Sequence, residues 1–187
     1  MNRYADIPLP TALAERLQAA QGLPRPPATL GEYVAAPEHR FFVDPSGLYC
    51  DSAQSCCGEH SRHEVTIAGA TRNTHCVLDT LLLAIIEKAE AASVRSVSPL
   101  SGEVVMLEIG SHGVVAGPPA AVITFGLLRE GGGTVYETLC PYVNAFSSEE
   151  DYQRWAEATP EAVTVSMSVR QAWEFACDML GAAPDDA

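Results

Sequence analysis

Two side chains of contrasting chemistry, Cys76 and Asp79, stand three positions apart in an apolar stretch of the sequence. The stretch predicts a helix over residues 76–89, with Asn73 or Thr74 as its N-cap. Residues three apart share one face of a helix, so the thiol and the carboxyl should be neighbours. A thiolate is a ligand for soft metals and a carboxylic acid is a proton donor. The pair therefore indicates proton-transfer chemistry at a soft metal.

The predicted position of the pair affects how both groups ionise. The unpaired N–H groups and partial positive charge of a helix N-terminus favour a thiolate, so we expect the pKa of Cys76 to lie below about 8.5. The apolar neighbours of Asp79 predict a buried carboxyl, which takes up a proton more readily. The two residues also have purely structural explanations, because cysteine packs as a small hydrophobe and acidic residues favour first helical turns.

A second set of potential ligands lies upstream, in and just after a predicted long loop over residues 44–61. The four side chains are Cys56, Cys57, His60 and His63. Together they could bind zinc or copper, and adjacent cysteines can also capture a soft metal and pass it on. The alternative is that these loop side chains are incidental. We therefore treat them as a possible accessory metal loop.

Charge and composition disfavour several classes of function. The chain of 187 residues has a net charge of −13 and 11 basic residues, which disfavours binding to nucleic acid or to an anionic membrane surface. The first residues contain no apolar region typical of a secretory signal, and no apolar run is long enough to span a bilayer. We expect a cytoplasmic protein, in which the six cysteines serve as ligands, catalysts or core residues.

The order of elements predicts an α+β fold, with antiparallel strands packed around the buried helix that carries Cys76 and Asp79. Further helices are predicted over residues 10–21, 30–34, 148–158 and 168–180. Strands are predicted over residues 40–43, 64–68, 94–97, 103–109, 121–128 and 134–140. The glycines at 131–133 are predicted to join the last two strands as a hairpin. Core positions are predicted for Trp155, Trp173 and Cys177.

The sequence of residues 73–82, Asn-Thr-His-Cys-Val-Leu-Asp-Thr-Leu-Leu, resembles the active-site helix of the organomercurial (alkylmercury) lyases. The family pattern is Cys-x-Leu-Asp-Thr-Leu. Residues 94–105 are similar to the strand–turn–strand that follows in the family, and Cys140 stands where the family has its second catalytic cysteine. The resemblance covers about residues 72–175. Within it, Ser98 occupies the place of a third cysteine found in many members, and His75 the place of an aromatic residue.

The resemblance implies protonolysis of a carbon–mercury bond. Carried over by position, Cys76 and Cys140 are thiolate ligands of mercury, and Asp79 is the proton shuttle beside the metal. The implied substrate is an organomercurial, the implied bound product is Hg(II), and no organic cofactor is needed. The implied partners are small thiols and mercuric reductase, which accepts the Hg(II).

These observations together divide the chain into a helical N-terminal appendage, residues 1–38, and a lyase-like catalytic domain, residues 39–187. The alternative function is a thiol-based protein of the same fold that binds or senses a soft metal without lyase activity. The acid at Asp79 distinguishes the two functions, because simple binding of a soft metal does not require it.

Overall fold

The computed structural model describes residues 3–36, 45–49, 62–111 and 113–181, and in it two antiparallel sheets pack with a central apolar helix. The α-helices of this part of the chain are α1 (Thr11–Gln21), α2 (Leu30–Ala35), α3 (Val77–Ile86), α4 (Val135–Thr138), α5 (Glu149–Ala158) and α6 (Val169–Leu180). The strands are β1 (His63–Ile67), β2 (Ala70–Thr74), β3 (Ala91–Val97), β4 (Val104–Gly110), β5 (Gly113–Gly117), β6 (Val122–Leu128), β7 (Ala145–Phe146) and β8 (Ala162–Ser168). Short 3-10 helices span Tyr4–Asp6, Pro45–Leu48 and Cys140–Tyr142.

The larger sheet has the strand order β2-β1-β3-β4-β5 and the smaller one the order β7-β6-β8, with every pairing antiparallel. These sheets and their helices confirm the predicted α+β class. In the larger sheet His63 pairs with Thr74 on one side and with Ser96 on the other. This register places the chain that leaves β2 for α3 beside the beginning of β1.

Helix α3 is buried along nearly its whole length, from Val77 to Ile85. An apolar sequence on every side of a helix predicts this central position, and the structure confirms it. The predicted N-cap is wrong, because Cys76 itself is the N-cap, with an extended backbone at φ −146° and ψ 169°. The helix also ends earlier than predicted, at Ile86, and Lys88 just beyond it has a positive φ of 49°.

The flanking helices confirm the sequence predictions closely. Helix α1 ends at Gly22, whose φ of 67° is the left-handed conformation that glycine favours at helix C-termini. The side chains of Thr29, Ser148 and Ser168 accept hydrogen bonds from backbone N–H groups at the starts of α2, α5 and α6. These caps satisfy donors that have no partner within the helix, which fixes where each helix begins.

The predicted strand over residues 134–140 is wrong, and so is the predicted hairpin at 131–133. The segment forms α4 and the start of the 3-10 helix Cys140–Tyr142. Thr134 donates from its backbone nitrogen to Glu137 Oε2 at 2.9 Å, which favours a helical turn, and Pro141 has no N–H to donate to a sheet. Strand β6 pairs with β7 and β8 instead.

Four strands, β2, β5, β7 and β8, were not predicted. The alternation Val-Thr-Val-Ser-Met in β8 is a signal that would have identified it, because alternate residues face the core. The predicted strand over residues 40–43 lies outside the described residues, and so does the predicted loop apart from residues 45–49, where a short 3-10 helix spans Pro45–Leu48. Among the described residues, no helix combines the length and apolar character needed to cross a membrane.

The N-terminal helices contribute to the same apolar core as the sheets. Leu13 and Leu17 of α1 and Tyr33 of α2 are buried in it, and the Tyr33 and Phe125 ring centroids lie 5.7 Å apart. The predicted boundary after residue 38 falls within residues 37–44, outside the described part of the chain. The division into appendage and catalytic domain therefore stays a prediction.

Gly126 in β6 allows a close approach of β8 beneath the segment that carries Cys140. A Cβ at Gly126 would lie 2.4 Å from Thr164 Cγ2 and 2.5 Å from the Val163 carbonyl oxygen. We expect Gly126→Ala to lower the free energy of unfolding by about 2–3 kcal/mol, because the strands must separate to admit the methyl group. Gly110→Ala in β4 meets open space and is the matched control. Equal losses in the two variants, measured by urea denaturation, would contradict this packing.

Candidate active site

Cys76, Asp79 and Cys140 meet at the N-terminus of α3. One ligand atom from each side chain, a sulfur or a carboxylate oxygen, lies within 4.8 Å of the others. The side chains are 1%, 7% and 5% exposed, so the cluster is almost closed to solvent. Both cysteines are free thiols. The structure therefore brings together the three residues that the sequence predicts.

A reciprocal cap at the start of α3 fixes Cys76 and Asp79 relative to each other. The backbone nitrogen of Cys76 donates to Asp79 Oδ2 at 3.0 Å, and the backbone N–H of Asp79 faces the Cys76 sulfur. This is the capping-box arrangement, with a thiol in the place of the usual hydroxyl. Thr74 Oγ1 also donates to the Cys76 carbonyl oxygen at 3.0 Å. These contacts hold thiol and carboxyl on the same side of the helix terminus.

Hydrogen bonds between the two thiol-bearing segments position Cys140. The backbone nitrogen of Val77 donates to the Val143 carbonyl oxygen at 3.3 Å, which joins the first residue of α3 to the turn that follows Cys140. The buried Asn144 donates from Nδ2 to the Pro141 carbonyl oxygen at 2.8 Å and closes that turn. The Cys140 side chain is thereby within hydrogen-bonding contact of the Cys76 thiol.

Burial controls the protonation of the site. It raises the pKa of Asp79 from 3.8 to about 7, against the opposing effect of hydrogen bonds from the Cys76 thiol and the backbone N–H groups of Cys76 and His75. It also raises the pKa of the Cys76 thiol well above its ordinary value, together with the hydrogen bond to Cys140 and the charge of Asp79. The predicted lowering of the Cys76 pKa is therefore wrong, because desolvation outweighs the helix N-terminus.

This arrangement favours one type of chemistry. Two soft sulfur atoms side by side suit a soft metal that accepts two ligands, and the metal can displace the thiol protons when it binds. A carboxyl group with a pKa near neutrality can both accept and donate a proton at physiological pH. Its position beside both sulfurs removes the need for a proton donor from solvent.

The possible accessory metal loop is not tested by the structure, because Cys56, Cys57 and His60 lie outside the described residues. His63 is described: it is buried in β1, with Nδ1 2.8 Å from Ser96 Oγ. Burial, together with the nearby Arg62 charge, lowers the pKa of His63 to about 3, so its imidazole is neutral. A metal role for the four residues stays a prediction.

Several residues support the site through contacts that the sequence did not predict. Thr74 and Asn144 are buried polar residues in apolar surroundings, a pattern that indicates specific hydrogen bonds and could have drawn attention to them. Ser98, in the place of the family's third cysteine, donates from Oγ to Asp151 Oδ2 at 2.7 Å and so ties the turn after β3 to α5. The contact between His75 and Tyr136 depends on tertiary structure and has no signal in the sequence.

The raised pKa of Asp79 predicts a pH-dependent stability. Below about pH 4 the carboxyl is protonated in folded and unfolded chains alike. Between pH 3.8 and about 7 the folded protein holds a proton that the unfolded chain releases, so the free energy of unfolding falls as the pH rises. We expect Asp79→Asn to be more stable than wild type by roughly 4 kcal/mol near pH 8, with little difference near pH 4. A stability difference that does not grow with pH would contradict the raised pKa of Asp79 as its cause.

Comparisons with known proteins identify the family and the fold. The model of the family described as MerB, alkylmercury lyase, matches residues 57–181, which is more than half of the chain. The fold is similar to a crystal structure of the mercury-bound form of MerB2, with 19% sequence identity and a TM-score of 0.55. The similarity covers 64% of this chain and 58% of that chain. A comparison with curated proteins gives no match. On the family match, the chain belongs to the alkylmercury lyase family.

Proposed function

We propose that this protein is an organomercurial lyase, which cleaves the carbon–mercury bond of alkyl and aryl mercury compounds by protonolysis and releases a hydrocarbon and Hg(II). The observation that carries the proposal is the cluster of two thiols and a buried acid, Cys76, Cys140 and Asp79, within 4.8 Å of one another. Membership of the alkylmercury lyase family supports it. The description of a structural neighbour as mercury-bound supports mercury as the metal.

The first step is capture of the metal. A thiol of Cys76 or Cys140 exchanges its proton for R–Hg⁺, which forms a sulfur–mercury bond and releases the proton with the displaced ligand. The second thiol then gives its proton to the Asp79 carboxylate and binds the same mercury. This transfer is feasible because the pKa of Asp79, at about 7, allows the carboxylate to accept a proton near neutral pH.

The second step is transfer of that proton to carbon. Two thiolates donate electron density to the mercury, so the electron pair of the carbon–mercury bond becomes more basic. The Asp79 acid protonates the carbon as that bond breaks, and the carboxylate is regenerated. The sum is R–Hg–X plus two thiols giving R–H, HX and Hg(II) bound by both sulfurs. Because the acid is already in position, the reaction does not depend on the arrival of a proton donor from solvent.

The acid distinguishes this proposal from a protein that only binds or senses a soft metal. Binding by two thiols needs no buried carboxyl. A buried carboxyl destabilises the fold at neutral pH, so its presence beside the thiols is better explained by a function. In the lyase reaction Asp79 has a defined task in each step. We therefore favour the lyase over the binding protein.

The scheme also defines the partners that we propose. Every proton comes from the thiols and Asp79, so the reaction requires no organic cofactor. The bound Hg(II) product must leave two thiolates, and transfer to other thiols is the route that soft-metal chemistry favours. Small thiols and then mercuric reductase would accept it, in a mercury detoxification and resistance pathway. Reduced thiols are maintained in the cytoplasm, where we place the protein.

The test is release of methane or benzene from methyl- or phenylmercury by the reduced protein in excess thiol. We expect Cys76→Ser, Cys140→Ser and Asp79→Asn each to lower turnover by at least about a hundredfold, since a positioned general acid alone contributes a factor of this size. Asp79→Asn should still bind Hg(II) with both sulfurs, measured by mercury retention after dialysis against a weak thiol.

Cys177→Ala is the matched control, because Cys177 is a buried thiol in α6 outside the cluster. It should retain turnover close to wild type. Absence of hydrocarbon release by wild type, with Hg(II) still bound tightly, would contradict the lyase and support the soft-metal-binding protein.

A further inference from the structure

We propose that His75 and Tyr136 determine which organic groups reach the thiol pair, by holding residues 45–49 at its outer side. Each of these side chains stands close in sequence to a proposed mercury ligand. His75 directly precedes Cys76, and Tyr136 lies one helical turn before Cys140. The inference rests on the proposed function, because it concerns the size of the organic group on the substrate.

The rings of His75 and Tyr136 contact each other. Their centroids lie 4.4 Å apart, with an angle of 44° between the ring planes. They join the chain segment before Cys76 to the segment before Cys140. The exposed fraction falls from 38% at Tyr136 to 9% at His75 and 5% at Cys140. Each ring is therefore more exposed than the cysteine that follows it in the sequence, with Cys76 at 1%.

Both rings also bind the backbone of one short upstream segment. The Tyr136 hydroxyl donates to the Gly47 carbonyl oxygen at 2.9 Å, and the His75 ring hydrogen-bonds the backbone of Tyr49. Glycine permits the first contact, since a Cβ at residue 47 would lie 3.1 Å from the Tyr136 hydroxyl oxygen. The segment is thus held by the same two side chains that flank the thiols.

The attachments of residues 45–49 are unequal at the two ends of the site. On the α3 side, Leu48 is buried in the core and Tyr49 pairs with Thr74, while the Tyr49 hydroxyl donates to Glu87 Oε1 at 2.6 Å. On the α4 side, the Tyr136 hydroxyl donates to the Gly47 carbonyl oxygen in a solvent-exposed hydrogen bond. Breaking this bond exposes less apolar surface than lifting Leu48 from the core, so the segment moves with less cost on the Tyr136 side.

Substrate size decides how much opening is needed. Thiols that are 5% exposed or less do not admit an organomercurial without some movement of the residues around them. A methyl group requires a small displacement, whereas an aromatic ring requires Tyr136 to move away together with the segment at Gly47. We infer that the Tyr136–Gly47 hydrogen bond restricts aryl substrates more than methyl substrates.

Two variants weaken this hydrogen bond from opposite partners. Tyr136→Phe removes the hydroxyl and keeps the ring, and Gly47→Ala crowds the hydroxyl without changing the tyrosine. The probes are methyl methanethiolsulfonate, which is small, and dithiobis(nitrobenzoate), which is bulky and aromatic. Modification of Cys76 and Cys140 is followed separately by mass spectrometry. Both variants should raise the rate with the bulky probe about fivefold and the rate with the small probe less, as expected for loss of one hydrogen bond.

Tyr152→Phe is the matched control, since the Tyr152 hydroxyl contacts Thr164 in β8, away from the thiols. Its labelling rates should equal those of wild type. In the active enzyme, the ratio of kcat/KM for phenylmercury to that for methylmercury should rise about fivefold in both variants, by the same loss. An unchanged kcat/KM ratio would overturn the inference. So would variants that react with the bulky probe at the wild-type rate and unfold at the wild-type temperature. Labelling needs no carbon–mercury cleavage, so its result is independent of the lyase proposal.

Discussion

The site depends on one interaction, the reciprocal cap between Cys76 and Asp79 at the start of an apolar helix. A helix terminus inside a protein needs acceptors for its free N–H groups, and the Asp79 carboxylate supplies one for the Cys76 nitrogen at 3.0 Å. The same contact places a carboxyl beside a thiol where little water reaches either. Burial then raises the pKa of both groups. The cap that helix α3 requires thus places a carboxyl group that can accept and donate a proton next to a soft metal ligand.

The sheets complete this site by bringing Cys140 to the helix terminus. The hydrogen bond from Val77 to Val143 joins the two segments directly, and the buried Asn144 closes the turn after Cys140. Beneath this turn, Thr124 of β6 donates from Oγ1 to the Tyr142 carbonyl oxygen at 2.9 Å. The segment that carries Cys140 is therefore held through its backbone, and its sulfur stays available to a metal.

Local sequence predicted those parts of the site that depend on local structure. Apolar residues on every side of α3 predicted its burial, and the spacing of Cys76 and Asp79 predicted their contact. The cap was missed because cysteine is rarely an N-cap. The direction of the Cys76 pKa was wrong because desolvation, the hydrogen bond to Cys140 and the charge of Asp79 together outweigh the helix N-terminus. Cys140 was identified through family resemblance alone, since its own surroundings were predicted as a strand. The ring contact of His75 with Tyr136 joins distant segments and has no local signal.

The central claim is that Asp79 exchanges its proton near neutral pH, so that it can take a proton from a thiol and deliver it to carbon. Infrared difference spectroscopy of wild type against Asp79→Asn tests this most directly, through the C=O stretch of a protonated carboxylic acid. We expect this band at about pH 6, its loss as the pH rises through about 7, and its absence from Asp79→Asn. A spectrum that shows only carboxylate for Asp79 at about pH 6 would contradict the account, since a carboxylate with an ordinary pKa is too weak a base to take the proton of a thiol.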